Sequence, residues 1–337
     1  MPSRKRILLV TLDAFETIFH PTRPVHEQYA SVARKLNFPA GGSPVTPEKI
    51  QFAFKEVYKA QSARRPNYGR EAALKGEYGG PKQWWEEIIQ GTFAKAATDS
   101  AASQEVPAKL VNALMDRFAS SQGYTLYDDV QNFLQRMNAF KMSGGGGAFD
   151  KVLVGVLSNS DDRVPFILRS LGLRVGLGRA LEFADTSDIL PGFEDSSISE
   201  HEALCSISDG LFSEPDHQRH SAGKPNDFEL VVMSYQAGAE KPSPVIFRAA
   251  ERAAMALVGD QYAGGGCVCV HVGDDYEKDY LAARDAGWDA YFLDRNGDGP
   301  GGASGERDGV GETKRIRSLL DLVKVIERDY HGQGSSV

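Results

Sequence analysis

Five short apolar runs, at 7–12, 152–157, 230–233, 267–272 and 290–293, constrain this chain more than any other feature. Both alternating faces of each run are β-branched or aliphatic, so each needs cover on both sides of a sheet. Amphipathic stretches supply that cover. Val164, Ile167, Leu168 and Leu171 share one stripe, and Val245, Ala249, Ala253 and Leu257 share another. Leu319, Leu322, Val323 and Ile326 form a third, behind a cap at Ser318. Strand–helix alternation of this kind predicts a doubly wound parallel α/β sheet.

Residues 13–151 interrupt that alternation, although a parallel crossover needs only a dozen or so residues. Inside them, Val25, Tyr29, Val32 and Leu36 make one helix face. Thr46-Pro47, a cap followed by a first-turn proline, opens a second helix with Ile50, Phe54 and Val57 on one side. Residues 84–93 and 106–118 add two more. The expectation is therefore an α/β core over 1–19 and 126–330, with a helical domain over 20–125 inserted into it. The segment 175–227 is polar, acidic and aperiodic, and is expected to be a disordered insertion whose His217 and His220 are solvated. Glycine, at 35 of 337 residues, clusters at 144–147, 264–266 and 294–313, which marks expanded connections and not a phosphate-cradling loop.

Composition narrows the function. With 46 acidic against 38 basic residues the net charge is −8, which argues against a dedicated nucleic-acid binder. No apolar run is long enough for a membrane span or signal peptide. Three cysteines cannot make a disulfide framework and suit a reducing intracellular setting, cytoplasmic or nuclear. Cys267, Cys269 and His271 alternate onto one face of a strand. A metal trio is conceivable there, but buried strand cysteines are the favoured reading. A small molecule is left as the expected partner.

In open α/β sheets, function gathers at the carboxyl ends of the strands. Asp13 follows the first run, Ser158 and Asn159 end the second, Lys241 follows the third, and Gly273-Asp274-Asp275 end the fourth with Asp279 shortly after. A carboxylate can attack a phosphoryl centre and divide one hard step into two. Attack on a phosphate dianion needs its charge neutralised, by a lysine and a divalent cation. Mg²⁺ takes oxygen ligands and often uses only one or two carboxylates. Asp275 is open to two roles, ligand or helix cap.

These residues resemble the four motifs of the haloacid dehalogenase superfamily, in order: Asp13 to Thr17 as D-x-x-x-T, Ser158, Lys241, and Asp274 with Asp279 in G-D-x-x-x-x-D. Asn67-Tyr68-Gly69, Gln83-Trp84-Trp85 and residues 271–285 resemble one branch of it. The resemblance implies a Rossmann-like core with a helical C1-type cap. It implies Asp13 as nucleophile and Lys241 as its catalytic partner. Thr17, Ser158, Asn159 and Lys241 would bind the phosphoryl group. Asp13, the Phe15 carbonyl, Asp274 and Asp279 would surround Mg²⁺. One position departs. Phosphatases of this superfamily carry a second, acid–base aspartate where Phe15 stands, and Phe15 can neither donate nor accept a proton. Glu16, on an extended chain, would face away from it. Three readings follow: a Mg²⁺-dependent hydrolase of a small phosphorylated metabolite whose leaving group needs no proton, a catalytically weak binding or regulatory protein, or a metal-independent 2-haloacid dehalogenase.

Overall fold

The computed structural model describes residues 6–40, 44–97, 105–143, 149–179, 225–259, 262, 266–297 and 313–331. The glycine clusters, apart from their edges, and 180–224 with His217 and His220 lie outside the described residues. The described chain divides into two compact units, one of 6–20, 125–179 and 225–331, the other of 21–124.

All five apolar runs are strands of one parallel sheet: β1 (Arg6–Leu12), β4 (Lys151–Ser158), β6 (Phe228–Met233), β7 (Gly266–Gly273) and β8 (Asp289–Leu293). Two short edge strands complete it, β5 (Val175–Arg179) and β9 (Arg315–Ile316), giving the order β5-β6-β4-β1-β7-β8-β9. β1 lies at the centre, with Leu9 opposite Leu153 on one side and Cys269 on the other. Every residue from Ile7 to Leu12 is buried, as a strand covered on both faces requires. The chain winds outward from β1 through β4, then reverses to β7, so the carboxyl ends of β1, β4 and β7 meet at a switch point.

Two expectations need correction. The expected disordered segment opens with β5, which pairs with β6, and closes on Asp227, whose carboxylate receives the Arg174 N–H and guanidinium. The strand reads Val-Gly-Leu-Gly-Arg, too short and glycine-rich to stand out at the head of a polar stretch. The second amphipathic stripe is also shifted by one position. The helix Pro244–Val258 buries Ile246, Phe247, Ala250 and Ala254 beside Ala249 and Ala253, while Leu257 stays 39% exposed. Small alanines between larger residues let the helix lie close to the sheet, and a pattern scored on bulk misplaces its face.

The other unit holds α1 (Val25–Lys35), α2 (Pro47–Arg64), α3 (Pro66–Leu74), α4 (Gly80–Ala96) and α5 (Ala108–Arg117). Thr46 caps α2 by accepting from the Lys49 N–H. Tyr29 stands at the centre of its core, against Phe93 and Phe118. Of the tandem tryptophans, Trp84 is buried and donates to the Arg65 carbonyl, and Trp85 lies half-buried beside it. Asn67, Tyr68 and Gly69 all have left-handed backbone, a costly conformation for the first two. The outgoing strand β2 (Phe19–Pro21) pairs with the returning β3 (Tyr124–Leu126). No described helix is long and apolar enough to cross a membrane.

Candidate active site

Asp13 is the first residue beyond β1, and its N–H donates to the Val272 carbonyl on β7 at 2.8 Å. That bond fixes the loop after β1 against the strand that carries the acidic motif. The chain then turns sharply: Ile18 N–H reaches the Ala14 carbonyl, Glu16 N–H reaches the Phe19 carbonyl, and Glu16 adopts φ 55°. Phe15 packs edge-to-face on Phe19, ring centroids 4.8 Å apart. Glu16 points elsewhere, its Oε2 accepting from the Tyr127 hydroxyl at 2.6 Å.

Lys241 enters from the loop after β6 and is buried. Its ammonium has three donors and three acceptors: Asp13 Oδ1 at 2.8 Å, Asp279 Oδ1 at 2.5 Å and the Leu157 carbonyl at 2.9 Å. Burial opposes its charge, but Asp13 and Asp279 outweigh that and hold it protonated above the ordinary lysine range. Asn159 sets the main chain of this lysine. Its amide donates to the Lys241 carbonyl and its oxygen accepts the Lys241 N–H at 2.6 Å. Asn159 thus positions the lysine. Ser158, at the end of β4, is 1% exposed.

Asp279 is the buried hub of the site. Oδ1 accepts from Lys241 and lies 3.2 Å from His271 Nε2, and Oδ2 accepts the Asp275 N–H at 3.0 Å. Burial raises its carboxyl, yet Lys241 and His271 more than reverse this and keep it ionised. His271 is fully buried, which lowers its pKa against the pull of Asp279. The neutral ring that donates from Nε2 to Asp279 accepts at Nδ1 from Thr11 Oγ1, 2.8 Å away. His271 therefore turns away from Cys267 and Cys269, and no metal trio forms. Asp275 resolves as a cap: its Oδ1 accepts from the Glu277 and Lys278 N–H groups of the π-helical turn Tyr276–Leu281.

Oxygens of Asp13, Asp274 and Asp279 lie within 4.8 Å of one another, the one such metal-holding group among the described residues. Asp274 keeps a face open to solvent, with the Thr17 hydroxyl 3.4 Å from its Oδ1. Desolvation, then the charges of Asp13 and Asp279, push its carboxyl up to about 7. Burial raises Asp13 as well, against the opposing pull of Lys241. Negative charge is in excess here, and the open oxygens suit a hard cation.

Three supporting residues escape a sequence reading. Arg295, beyond β8, donates to the Thr17 carbonyl at 2.8 Å and to Asp129 Oδ2 at 2.9 Å, and stacks over Tyr127. Arg295, Asp129 and Tyr127 belong to no motif, and only folding brings them to the loop after β1. His271 did leave a trace, as a polar residue within an apolar run just before the acidic motif.

No family model matches the chain. An uncharacterized hydrolase of Schizosaccharomyces pombe is 26% identical over 87% of this chain and 94% of its own length. Haloacid dehalogenase-like hydrolase domain-containing protein 3 of Homo sapiens is 26% identical over 87% of this chain and 84% of its own. The crystal structure of a 2-haloacid dehalogenase from Pseudomonas syringae pv. Tomato DC3000 aligns with TM-score 0.49 and 18% identity, over 96% of this chain and 99% of that one. With curated relatives of 26% identity along most of its length, and with Asp13, Ser158, Lys241 and Asp274 beyond four parallel strands, the chain is similar to hydrolases of the haloacid dehalogenase superfamily.

Proposed function

We propose that this chain hydrolyses a small phosphorylated metabolite with Mg²⁺, through an aspartyl-phosphate on Asp13, and that the helical unit serves as its cap. The observation that carries the reading is the placement of Asp13 against the Lys241 ammonium, with the oxygens of Asp274 and Asp279 within 4.8 Å. The residues fit a divalent cation, because three clustered carboxylates face one lysine and Asp274 is held near neutrality without further positive charge. Asp13, Asp274, Asp279 and the Phe15 carbonyl would hold it. When bound, Mg²⁺ supplies positive charge against the phosphoryl oxygens.

Lys241 holds Asp13 Oδ1, which leaves the other carboxylate oxygen for attack. That oxygen bonds to phosphorus as the bond to the leaving group breaks, and the leaving group departs with the electron pair. Lys241 cancels charge on the transferring group, and Ser158 donates to one of its oxygens. Water then cleaves the acyl phosphate and restores Asp13. Phe15 has no proton to give, and Glu16 is bonded to Tyr127, so a leaving group stable without protonation suits this site best. Acyl phosphates and phosphoanhydrides are such groups.

A second reading rests on Phe15 itself: an aromatic ring beside the nucleophile suits halide expulsion from a 2-haloacid without metal. The carboxylate cluster weighs against it, since that reaction has no use for a cation site. Phosphate release from acyl phosphates and from phosphate monoesters, with and without Mg²⁺, separates the readings. Mg²⁺-dependent release, lost in Asp13→Asn, is expected. Release unaffected by that substitution would sink the covalent route. Chloride from 2-chloropropionate in the presence of EDTA would establish the dehalogenase. Silence in both assays, with a Mg²⁺-induced thermal shift, would make this a binding protein.

A further inference from the structure

The proposed hydrolysis leaves Cys267 and Cys269 without a role. Their Sγ atoms lie 3.4 Å apart on one face of β7, Cys269 buried at 8% exposure and Cys267 half-buried toward the start of the strand. Two strand residues one apart place their Cα atoms roughly 6.6 Å from each other. Disulfides span about 4.4 to 6.8 Å between Cα atoms. The side chains already turn their sulfurs to 3.4 Å, but a bond also needs the Cβ atoms, about 6.6 Å apart on an extended strand, to close to about 4.5 Å, so the strand must contract locally.

In this stretch β7 is held by a ladder on one side. Cys267 and Cys269 pair with Ile7 and Leu9 of β1 on one side, but β8 begins to pair only at Val270. Among the described residues the other edge of 266–269 pairs with no strand, and Gly266, exposed, has space around it where a side chain would stand. The thiols are also unequal. The hydrogen bond between the two sulfurs lowers the Cys267 thiol, while that bond and burial push the Cys269 thiol up. The accessible sulfur is the better nucleophile, and the buried one, 3.4 Å away, resolves it by handing its proton to the departing hydroxyl.

We propose that Cys267 and Cys269 form a reversible dithiol–disulfide site that responds to hydroperoxides, independently of the hydrolase reaction. The Cys267 thiolate attacks a peroxide oxygen; the O–O bond breaks and hydroxide leaves, giving a sulfenic acid. Cys269 sulfur then attacks that sulfur and water leaves. Two thiols and one hydrogen peroxide become one disulfide and two waters, each sulfur losing one electron. A bond closed at the limit of its geometry is readily reduced, which suits a reversible site in a reducing compartment.

The test uses the full chain and its Cys205→Ser variant, which retains only these two cysteines. Each is treated with one equivalent of hydrogen peroxide, alkylated with iodoacetamide, and mapped without reduction. Both cysteines fall in the tryptic peptide 253–278. The expected result is an unalkylated peptide lighter by two hydrogens, an intact mass that remains monomeric, and return of both thiols with dithiothreitol. In Cys269→Ala, dimedone should label Cys267 as the trapped sulfenic acid. Two thiols still alkylated in the folded, peroxide-treated chain would overturn the proposal. So would Cys267 oxidised to the sulfinic acid beside an intact Cys269 thiol.

Discussion

A methyl group on Gly273 would stand 2.1 Å from Asp279 Oδ2 and 2.2 Å from its Cγ. The glycine of the acidic motif is there for space, not for an unusual φ, because the carboxylate that organises Lys241 occupies the volume a side chain would need. Gly273→Ala should cost about 1–3 kcal/mol through overpacking and displace Asp279 from Lys241. Urea unfolding checks the first effect, and loss of turnover the second. Removing the lysine is harsher, since it strands a buried carboxylate: Lys241→Met should cost about 3–5 kcal/mol, read from the same unfolding midpoint. A change under 1 kcal/mol would mean that Asp279 protonates or is solvated instead. The motif positions themselves were legible in the sequence, as acid, hydroxyl, lysine and acid after successive apolar runs. The role of Asn159 was not, because its partner is main chain from a loop far along the sequence.

At the scale of elements, helix faces were legible where bulk marks them and misread where it does not. Leu319, Leu322, Val323 and Ile326 are all buried behind the Ser318 cap, as their spacing predicts. In the helix Pro244–Val258 the alanines, and not Leu257, face the sheet. Phe247→Ala should therefore cost about 3–5 kcal/mol, whereas Leu257→Ser should change stability by no more than about 0.5 kcal/mol. Thermal or urea unfolding distinguishes them, and equal effects would refute this register. Asp129 joins elements that sequence keeps apart. Its Oδ2 accepts from Arg295, from the Leu319 N–H at the start of helix Leu319–His331, and from the Ser318 hydroxyl. Burial raises its carboxyl, but these donors bring it net below the ordinary value. A group depressed in the folded state adds stability above its unfolded pKa, about 3.9, and loses it as pH falls through the folded value. The stability gap between the native chain and Asp129→Asn should be full at pH 7 and shrink in acid. A gap independent of pH would show that the carboxylate charge is not what matters.

The whole molecule adds a prediction about ligand linkage. If Asp13, Asp274 and Asp279 hold Mg²⁺, a hundredfold excess over the dissociation constant should stabilise the fold by about 2.7 kcal/mol, seen as a rise in Tm. Asp274→Asn should abolish that rise without unfolding the chain, since Asp274 is exposed and Lys241 does not contact it. An equal rise in the variant would place the cation elsewhere. The sequence by itself determined the parallel sheet, because short runs apolar on both faces that alternate with amphipathic stripes bury best as strands covered by helices, and it determined which residues end the strands. It also determined that a helical block interrupts the core, since no crossover needs so many residues. Only the tertiary structure decided which of those residues meet. Strand order puts β1 between β4 and β7, and that placement, not proximity in the chain, brings Lys241 to Asp13, turns His271 onto Asp279 and carries Arg295 back to Thr17. Periodicity reports which face of an element is buried. It carries no record of which neighbour does the burying, and the chemistry of this site is made by the neighbours.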